Sequence, residues 1–201
     1  MLKNTLIHSW QTKMKNNIII LAISAISIMA TSCIKEQLET TYNKQEEQID
    51  QYINRSMVVT DDSGATDTLR VVRNSGSNRL VLIEGTGEEL AEDGYVSFYY
   101  AGYSFTGNGI SASNLFSTNR LETATEAGWN ADESEYQLYE INFADSDLIP
   151  GLKKGLAGVK AGEECEILFS AKYGFGNKAL GIIPAKTALL YKIWVVGVTN
   201  D

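Results

Sequence analysis

A single histidine, two cysteines and a shortage of basic groups set the first limits on what this chain can do. The histidine is His8, inside a segment that reads as removable, so His-based nucleophilic triads and His metal sites have no donor in the rest of the chain. Cys33 and Cys165 are too few for a disulfide framework. Cys165 sits at an inward position of an alternating segment and reads as a small buried hydrophobe. No cysteine cluster, phosphate-cradling glycine loop or catalytic carboxylate pair takes the place of these groups, so neither a metal nor a cofactor is expected. Lys and Arg number 17 against 25 Asp and Glu, a formal net charge of -8. Lys3, Lys13 and Lys15 precede every acidic residue, so without residues 1–32 the balance is 14 basic to 25 acidic, roughly -11. Nucleic acid and anionic lipid head groups demand cationic surface, so the balance argues against them as partners; solubility is the favoured reading of the charge.

What is present begins with an apolar run from Ile18 to Ala30, preceded by Lys13 and Lys15 and followed by Thr31-Ser32-Cys33. The run is too short to span a bilayer and has the form of a signal-peptide core, with Met1 or Met14 as its start. Small residues just before a cysteine resemble the bacterial lipobox. Residues 1–33 are therefore expected to be a lipoprotein signal, with Cys33 acylated and holding the protein to a membrane of the cell envelope. The alternative is a plain secretory signal with an incidental cysteine.

With 44% apolar and 21% charged residues, the remainder has an ordinary globular composition, enough for one domain plus an extension. Lys35 to Arg55 contains no Gly or Pro. It carries Leu38, Tyr42, Ile49, Tyr52 and Ile53 as a thin helical stripe, suited to packing on the domain, spacing it from the membrane, or self-association. Met57–Thr60 and Thr68–Arg73 read as a hairpin about Asp61-Asp62-Ser63-Gly64. Further on, Leu152, Leu156 and Val159 recur at helical spacing, with Asp147 as the expected cap, Pro150 in the first turn and Gly162 at the end. Cys165, Ile167 and Phe169 then alternate with Glu164, Glu166 and Leu168, the period of a strand with one buried face.

Several motifs in this C-terminal half carry a family likeness: Ile149-Pro150-Gly151-Leu152, Gly155-Leu156-x-Gly158-Val159-x-x-Gly162-Glu163, Lys172-Tyr173-Gly174-Phe175-Gly176, Gly181-Ile182-Ile183-Pro184 and Thr187-x-Leu189-x-Tyr191. Upstream, Leu82-Ile83-Glu84-Gly85-Thr86-Gly87, Asp93-Gly94-Tyr95-Val96, Phe98-x-Tyr100-Ala101-Gly102 and Leu115-Phe116-Ser117 follow the same order. In that order they resemble the FKBP-type peptidyl-prolyl cis-trans isomerases, over about Arg79 to Val198. The resemblance implies an α+β fold, a twisted antiparallel sheet of about five strands wrapped around one short helix near 151–160. Residues 34–78 add the helix and hairpin, and 79–201 form the isomerase-like domain.

Position by position, the resemblance places Tyr100, Phe116, Tyr139, Leu148, Ile149, Leu152, Phe175, Ile183 and Tyr191 around a prolyl pocket. Leu152 forms its floor, and the Ile149 N–H donates to a substrate carbonyl. For each aromatic taken singly, plain core packing is the competing reading. Three departures weaken the polar side of the site. Ser117 stands where the family has an acid, Phe175 where it has a tyrosine hydroxyl, and the loop 177–180 looks one residue short. Tight binding of the macrolides FK506 or rapamycin is accordingly not expected. Residues 121–134, with Trp129 at their centre, form a polar insertion expected in a surface loop bordering the pocket. The implied activity is isomerisation of Xaa-Pro bonds in exported, proline-containing polypeptides, by a monomer at the envelope. The alternative is a weak or inactive domain of the same fold that holds a protein partner.

Overall fold

The computed structural model describes residues 35–60, 63–130 and 132–200. The segment to Ser32, Cys33 and His8 therefore lie outside the described residues. Among the described residues nine strands run in chain order: β1 (Val58–Thr60), β2 (Thr66–Thr68), β3 (Val71–Asn74), β4 (Ser77–Ile83), β5 (Tyr95–Phe105), β6 (Leu115–Thr118), β7 (Tyr139–Asn142), β8 (Glu164–Phe169) and β9 (Ala188–Thr199). Helix α1 spans residues 35–56, α2 spans Leu121–Glu126 and α3 spans Pro150–Leu156. The first unit of the chain ends at Thr41; within it Thr40 and Thr41 hydrogen-bond back to the carbonyls of Glu36 and Gln37. Everything described below belongs to the second unit, from Tyr42 onward.

The antiparallel pair of β5 and β9 is the spine, in register from Tyr95↔Thr199 to Phe105↔Ala188. Around it the sheet runs β3-β4-β8-β9-β5-β6, with β7 also on β5. The long β5 is shared along its outer edge: Tyr95–Phe98 pair with β7, and Ala101–Tyr103 pair with β6. Seven strands thus stand where about five were expected, because β3 extends one edge and β7 adds to the other. The expected hairpin partner splits in two. Thr66–Thr68 pair with β1 in a separate ribbon, while Val71–Asn74 join the main sheet through β4.

Strand alternation sends side chains to both faces, and both are covered. One face buries Val96, Phe98, Cys165, Ile167, Phe169, Leu189, Tyr191 and Ile193 with Leu152, Leu156 and Val159 from α3 and the turn after it. The other buries Ala101, Tyr103, Phe105, Leu168 and Leu190 against Ile49 and Ile53 of α1. Tyr52, on the same stretch of α1, donates to a carboxylate oxygen of Glu166 at 2.7 Å.

Helix α3 lies unusually close to the sheet. A Cβ on Gly151 would strike the Phe169 ring, and one on Gly155 would strike Ile167. The glycines that thin its apolar stripe are what let it approach. The carbonyls at its C-terminal end, left over by any helix, are met by the buried Arg79 guanidinium on β4, which donates to Gly155 at 2.8 Å and Ala157 at 2.9 Å. Arg79 Nε also lies 3.1 Å from Glu163 Oε1, a fully buried carboxylate.

The helix differs from expectation at both ends. Its N-cap is Ile149, with no side-chain cap bond, so Asp147 does not cap it. Pro150 brings no N–H to the first turn, and Asp147 lies two residues upstream of the cap position. The C-terminus is also earlier than expected: the chain leaves the helix at Ala157 and turns, and Gly162 belongs to the turn before β8.

Two measurements test this packing. Leu156 is fully buried, so Leu156→Ala is expected to destabilise the fold by about 2–5 kcal/mol in urea unfolding; a change within error would displace α3 from the sheet. Burial raises the Glu166 carboxyl above its ordinary range, opposed by the Tyr52 hydrogen bond and the Lys192 charge. The native state then binds this proton more tightly than the unfolded chain. The resulting stabilisation is fully present below about pH 4.5 and is lost as pH rises through the elevated native value. The melting temperature of Glu166→Gln relative to wild type should therefore climb between pH 4 and 7, and a flat or falling difference would contradict it.

Candidate functional site

A cavity of about 710 Å³ opens on the α3 side of the sheet. Strand alternation on β5 aims Phe98 and Tyr100 into it, and Tyr191 comes from the neighbouring β9. Phe116 and Ser117 enter from β6 and Tyr139 from β7. The Asp147–Ile149 segment and Leu152 close the α3 side, and Phe175 with Leu180–Ile183 form the wall carried by the loop between β8 and β9. All nine residues named from the sequence line this one cavity. Phe98, Ser117, Asp147, Leu180, Gly181 and Ile182 line it as well. Phe98 could have been found from its spacing, two residues before Tyr100 on the same strand face.

The aromatic walls brace each other. Tyr191 stacks on Phe169 at 6.0 Å between centroids and 13° between planes, and meets Phe116 edge-on at 5.8 Å. Tyr100 lies 6.2 Å from Tyr191 and 6.4 Å from Tyr139, and Tyr139 stands edge-on to Phe98 at 5.5 Å. Gly102 makes room for this arrangement: a Cβ there would come within 2.7 Å of Phe116 Cζ and 3.0 Å of Tyr191 Cε1. A buried side chain outside the cavity holds the strand ends in place. Asn119 accepts from the Tyr100 N–H at 2.6 Å and donates to the carbonyls of Phe98 and Gln137 at 3.2 and 3.0 Å. It thereby ties the point where β6 and β7 part to the chain leading into Tyr139. Nothing in its neighbourhood in the sequence marked it.

Electrostatically the cavity is quiet. Tyr100 Oη and Ser117 Oγ lie 3.2 Å apart, so a hydroxyl and not a carboxylate faces the tyrosine. Burial, reinforced by Tyr100, pushes the Tyr191 phenol well above its ordinary range and keeps it neutral. Asp147 is the one carboxylate among the described lining residues. The Ile149 N–H donates to no other group among the described residues. An apolar, aromatic enclosure with neutral hydroxyls and an unengaged backbone donor can grip an apolar ring and accept one carbonyl. It lacks an acid–base pair or nucleophile for bond cleavage. Burial also raises the Cys165 thiol far above its usual range, which disables it as a nucleophile. Among the described residues no group of three or more His, Cys, Asp or Glu could hold a metal, and no helix is long and apolar enough to cross a membrane.

The insertion lies elsewhere. Of its residues 121–134, Leu121–Glu126 form α2, and none of the described ones lines the cavity. Leu121, Glu122 and Glu133 instead edge a cleft with Tyr99 and Trp194. Tyr99 alternates with Tyr100, so this cleft is on the opposite side of β5 from the aromatic cavity. The insertion leaves β6 on that side, with Arg120 stacked 4.3 Å over Trp194. Trp129 is exposed.

Comparison with known proteins bears on the family likeness and the fold. Residues 115–196 match the model of the FKBP-type peptidyl-prolyl cis-trans isomerase family. The chain is 24% identical over 118 residues to FK506-binding protein 1 of Aspergillus oryzae, covering 59% of this chain and 94% of that protein. It is 24% identical over 134 residues to the FKBP-type peptidyl-prolyl cis-trans isomerase FkpA of Buchnera aphidicola, covering 66% of this chain and 47% of the relative, about half its length. Among solved structures, a peptidyl-prolyl cis-trans isomerase from Pseudomonas syringae superposes with a TM-score of 0.51 at 15% identity, covering 81% of this chain and 96% of that one. The match to the FKBP-type family model covers residues 115–196, and the α+β fold is similar to that of the solved isomerase.

Proposed function

We propose that this protein is a peptidyl-prolyl cis-trans isomerase acting on exported polypeptides at the cell envelope, tethered there through acylated Cys33. The observation that carries the activity is the convergence of Tyr100, Phe116, Leu152, Phe175 and Tyr191 on one aromatic-walled cavity beside the unengaged Ile149 N–H. Rotation about an Xaa-Pro bond crosses a barrier of about 18–20 kcal/mol and takes tens to hundreds of seconds unaided. The twisted amide has lost resonance and with it much of its charge separation, so it suffers less than the planar form when water is stripped away. A cavity that holds the prolyl ring between Phe116 and Tyr191, with Leu152 at its base, therefore favours the twisted state. The Ile149 N–H holds a neighbouring substrate carbonyl. Proton transfer, covalent bonds and cofactors have no part in this reaction.

Ser117 and Phe175 remove polar contacts that the family uses. Each neutral contact is worth about 0.5–1.5 kcal/mol, so turnover is expected to be slower by up to about tenfold per contact, with the apolar enclosure intact. The likeness to exported lipoproteins rests on the segment from Lys13 to Cys33, with its short apolar run and small residues before the cysteine.

Two experiments test the proposal. In exchange NMR, catalytic amounts of the full chain should accelerate cis–trans interconversion of a Leu-Pro or Phe-Pro peptide, and Tyr100→Ala should reduce the acceleration by at least tenfold. No acceleration by the wild type would leave the cavity as a binding site for a protein partner and sink the enzymatic reading. For the anchor, a fatty-acid probe should label the full chain in bacterial cells and fail to label Cys33→Ala; equal labelling of both would refute acylation at this residue.

A further inference from the structure

We infer that Gln45, on the helix α1 that precedes the isomerase-like domain, is a positioning residue for the cavity wall. The inference rests on the isomerase reading for its kinetic consequence, but its geometry stands apart from it. The wall carrying Phe175 and Ile183 is the long loop between β8 and β9, and its two ends are brought together by one side chain. Gln45 Oε1 accepts from the Ala171 N–H at 2.9 Å, just after β8. Gln45 Nε2 donates to the Lys186 carbonyl at 2.7 Å, just before β9. Lys186 in turn donates its N–H to the Gly176 carbonyl at 2.8 Å, next to Phe175.

The same turn of α1 makes a further contact with this loop base and lies close to it at a second point. Glu46 Oε1 accepts from the buried Ser170 hydroxyl at 3.2 Å, and the Tyr42 hydroxyl sits about 4.0 Å from where a Cβ on Gly176 would be. One helical turn therefore grips residues 170, 171 and 186. One turn further along, Ile49 and Ile53 anchor α1 in the second core.

Lys186 explains why such a clamp is needed. It is a non-glycine residue at φ +61°, a conformation that side chains with a Cβ adopt only when their surroundings enforce it. Between the clamped ends most of the loop's own bonds are local: Tyr173 to Ser170, Gly174 and Gly176 to Ala171, Lys178 to Phe175, the Leu180–Ile183 bridge and Thr187 to Pro184, with Lys186 to Gly176 the longer reach. Release of the clamp lets Lys186 relax, and the wall bearing Phe175 and Ile183 spends less time in place. Affinity for a ligand falls in proportion to the fraction of molecules whose wall is formed, so the kinetic signature is a raised KM with little change in kcat.

The test uses the full chain with Gln45→Ala and Gln45→Glu, the latter keeping the acceptor for Ala171 and losing the donor to Lys186. NMR follows the Ile183 methyl resonances and the exchange of the Ala171 and Lys186 amides, while KM and kcat are measured on an Xaa-Pro peptide. Gln45→Ala should shift the Ile183 methyls, speed exchange at both amides, and raise KM about three- to tenfold with kcat within about twofold. Gln45→Glu should keep Ala171 protected and still speed exchange at Lys186, which also serves if the alanine variant fails to fold. Unmoved Ile183 methyls with a lowered melting temperature would reduce Gln45 to a brace for α1 and overturn the inference. So would an unchanged KM in an active protein. If the wild type turns over no peptide, the isomerase reading fails, and the methyl shifts and amide exchange alone decide whether Gln45 positions the wall.

Discussion

One buried guanidinium holds the arrangement together. Helix α3 has seven residues, two of them glycines, and a helix so short has no stability of its own in water. It exists because its apolar face meets the sheet and because Arg79 satisfies the carbonyls at its end. The same guanidinium neutralises Glu163, whose carboxylate is fully enclosed and whose proton affinity is raised by that burial against the pull of Arg79 and Arg70. A charge taken from water is tolerated only where partners meet it, so strand β4, the end of α3 and the turn before β8 are fixed as a set. Leu152 and the Ile149 backbone sit at the other end of that helix. The cavity inherits its geometry from a salt bridge that never touches it.

The division of the sheet into two covered faces separates scaffold from site. The face under α1 is filled with Ile, Leu and Phe and bonded through Tyr52 and Glu166. The face under α3 carries the aromatic residues that leave a hollow among themselves. Aromatic rings, the Ser117 hydroxyl and the Ile149 N–H line that hollow, with Asp147 as the one carboxylate among its described lining residues. Such a site works through enclosure and shape, and it tolerates loss of individual polar contacts better than a site built on proton transfer.

Much of this was legible in the sequence. The alternation at Cys165, Ile167 and Phe169 and the recurrence of Leu152, Leu156 and Val159 are periodic signals that burial enforces. The family resemblance carried by the ordered motifs names nine residues that line the cavity. What escaped depends on long-range partners. Arg79 stands in no motif of the sequence, and its role shows only once the end of α3 is placed over it. Asp147 reads as a cap because cap propensity is local, whereas Pro150 and the close packing of α3 set the helix start at Ile149. Gln45 and Asn119 are single amides whose partners lie far away in the chain or in an unpatterned turn. The insertion was expected beside the cavity on loop length alone, but the face on which a chain leaves β6 is decided by strand parity.

That parity has a consequence for how such a protein can diverge. On β5 the even-numbered positions from Val96 to Gly102 belong to the cavity side and the odd-numbered ones from Ala101 to Phe105 to the core under α1. A register slip of one residue would exchange the two sets completely, so the paired length of β5 and β9 works as a lock on which message each face carries. Once locked, the two messages can be edited separately. Ligand preference can drift through one set of alternate positions while the other continues to specify a stable fold, and a single strand serves two independent selective pressures.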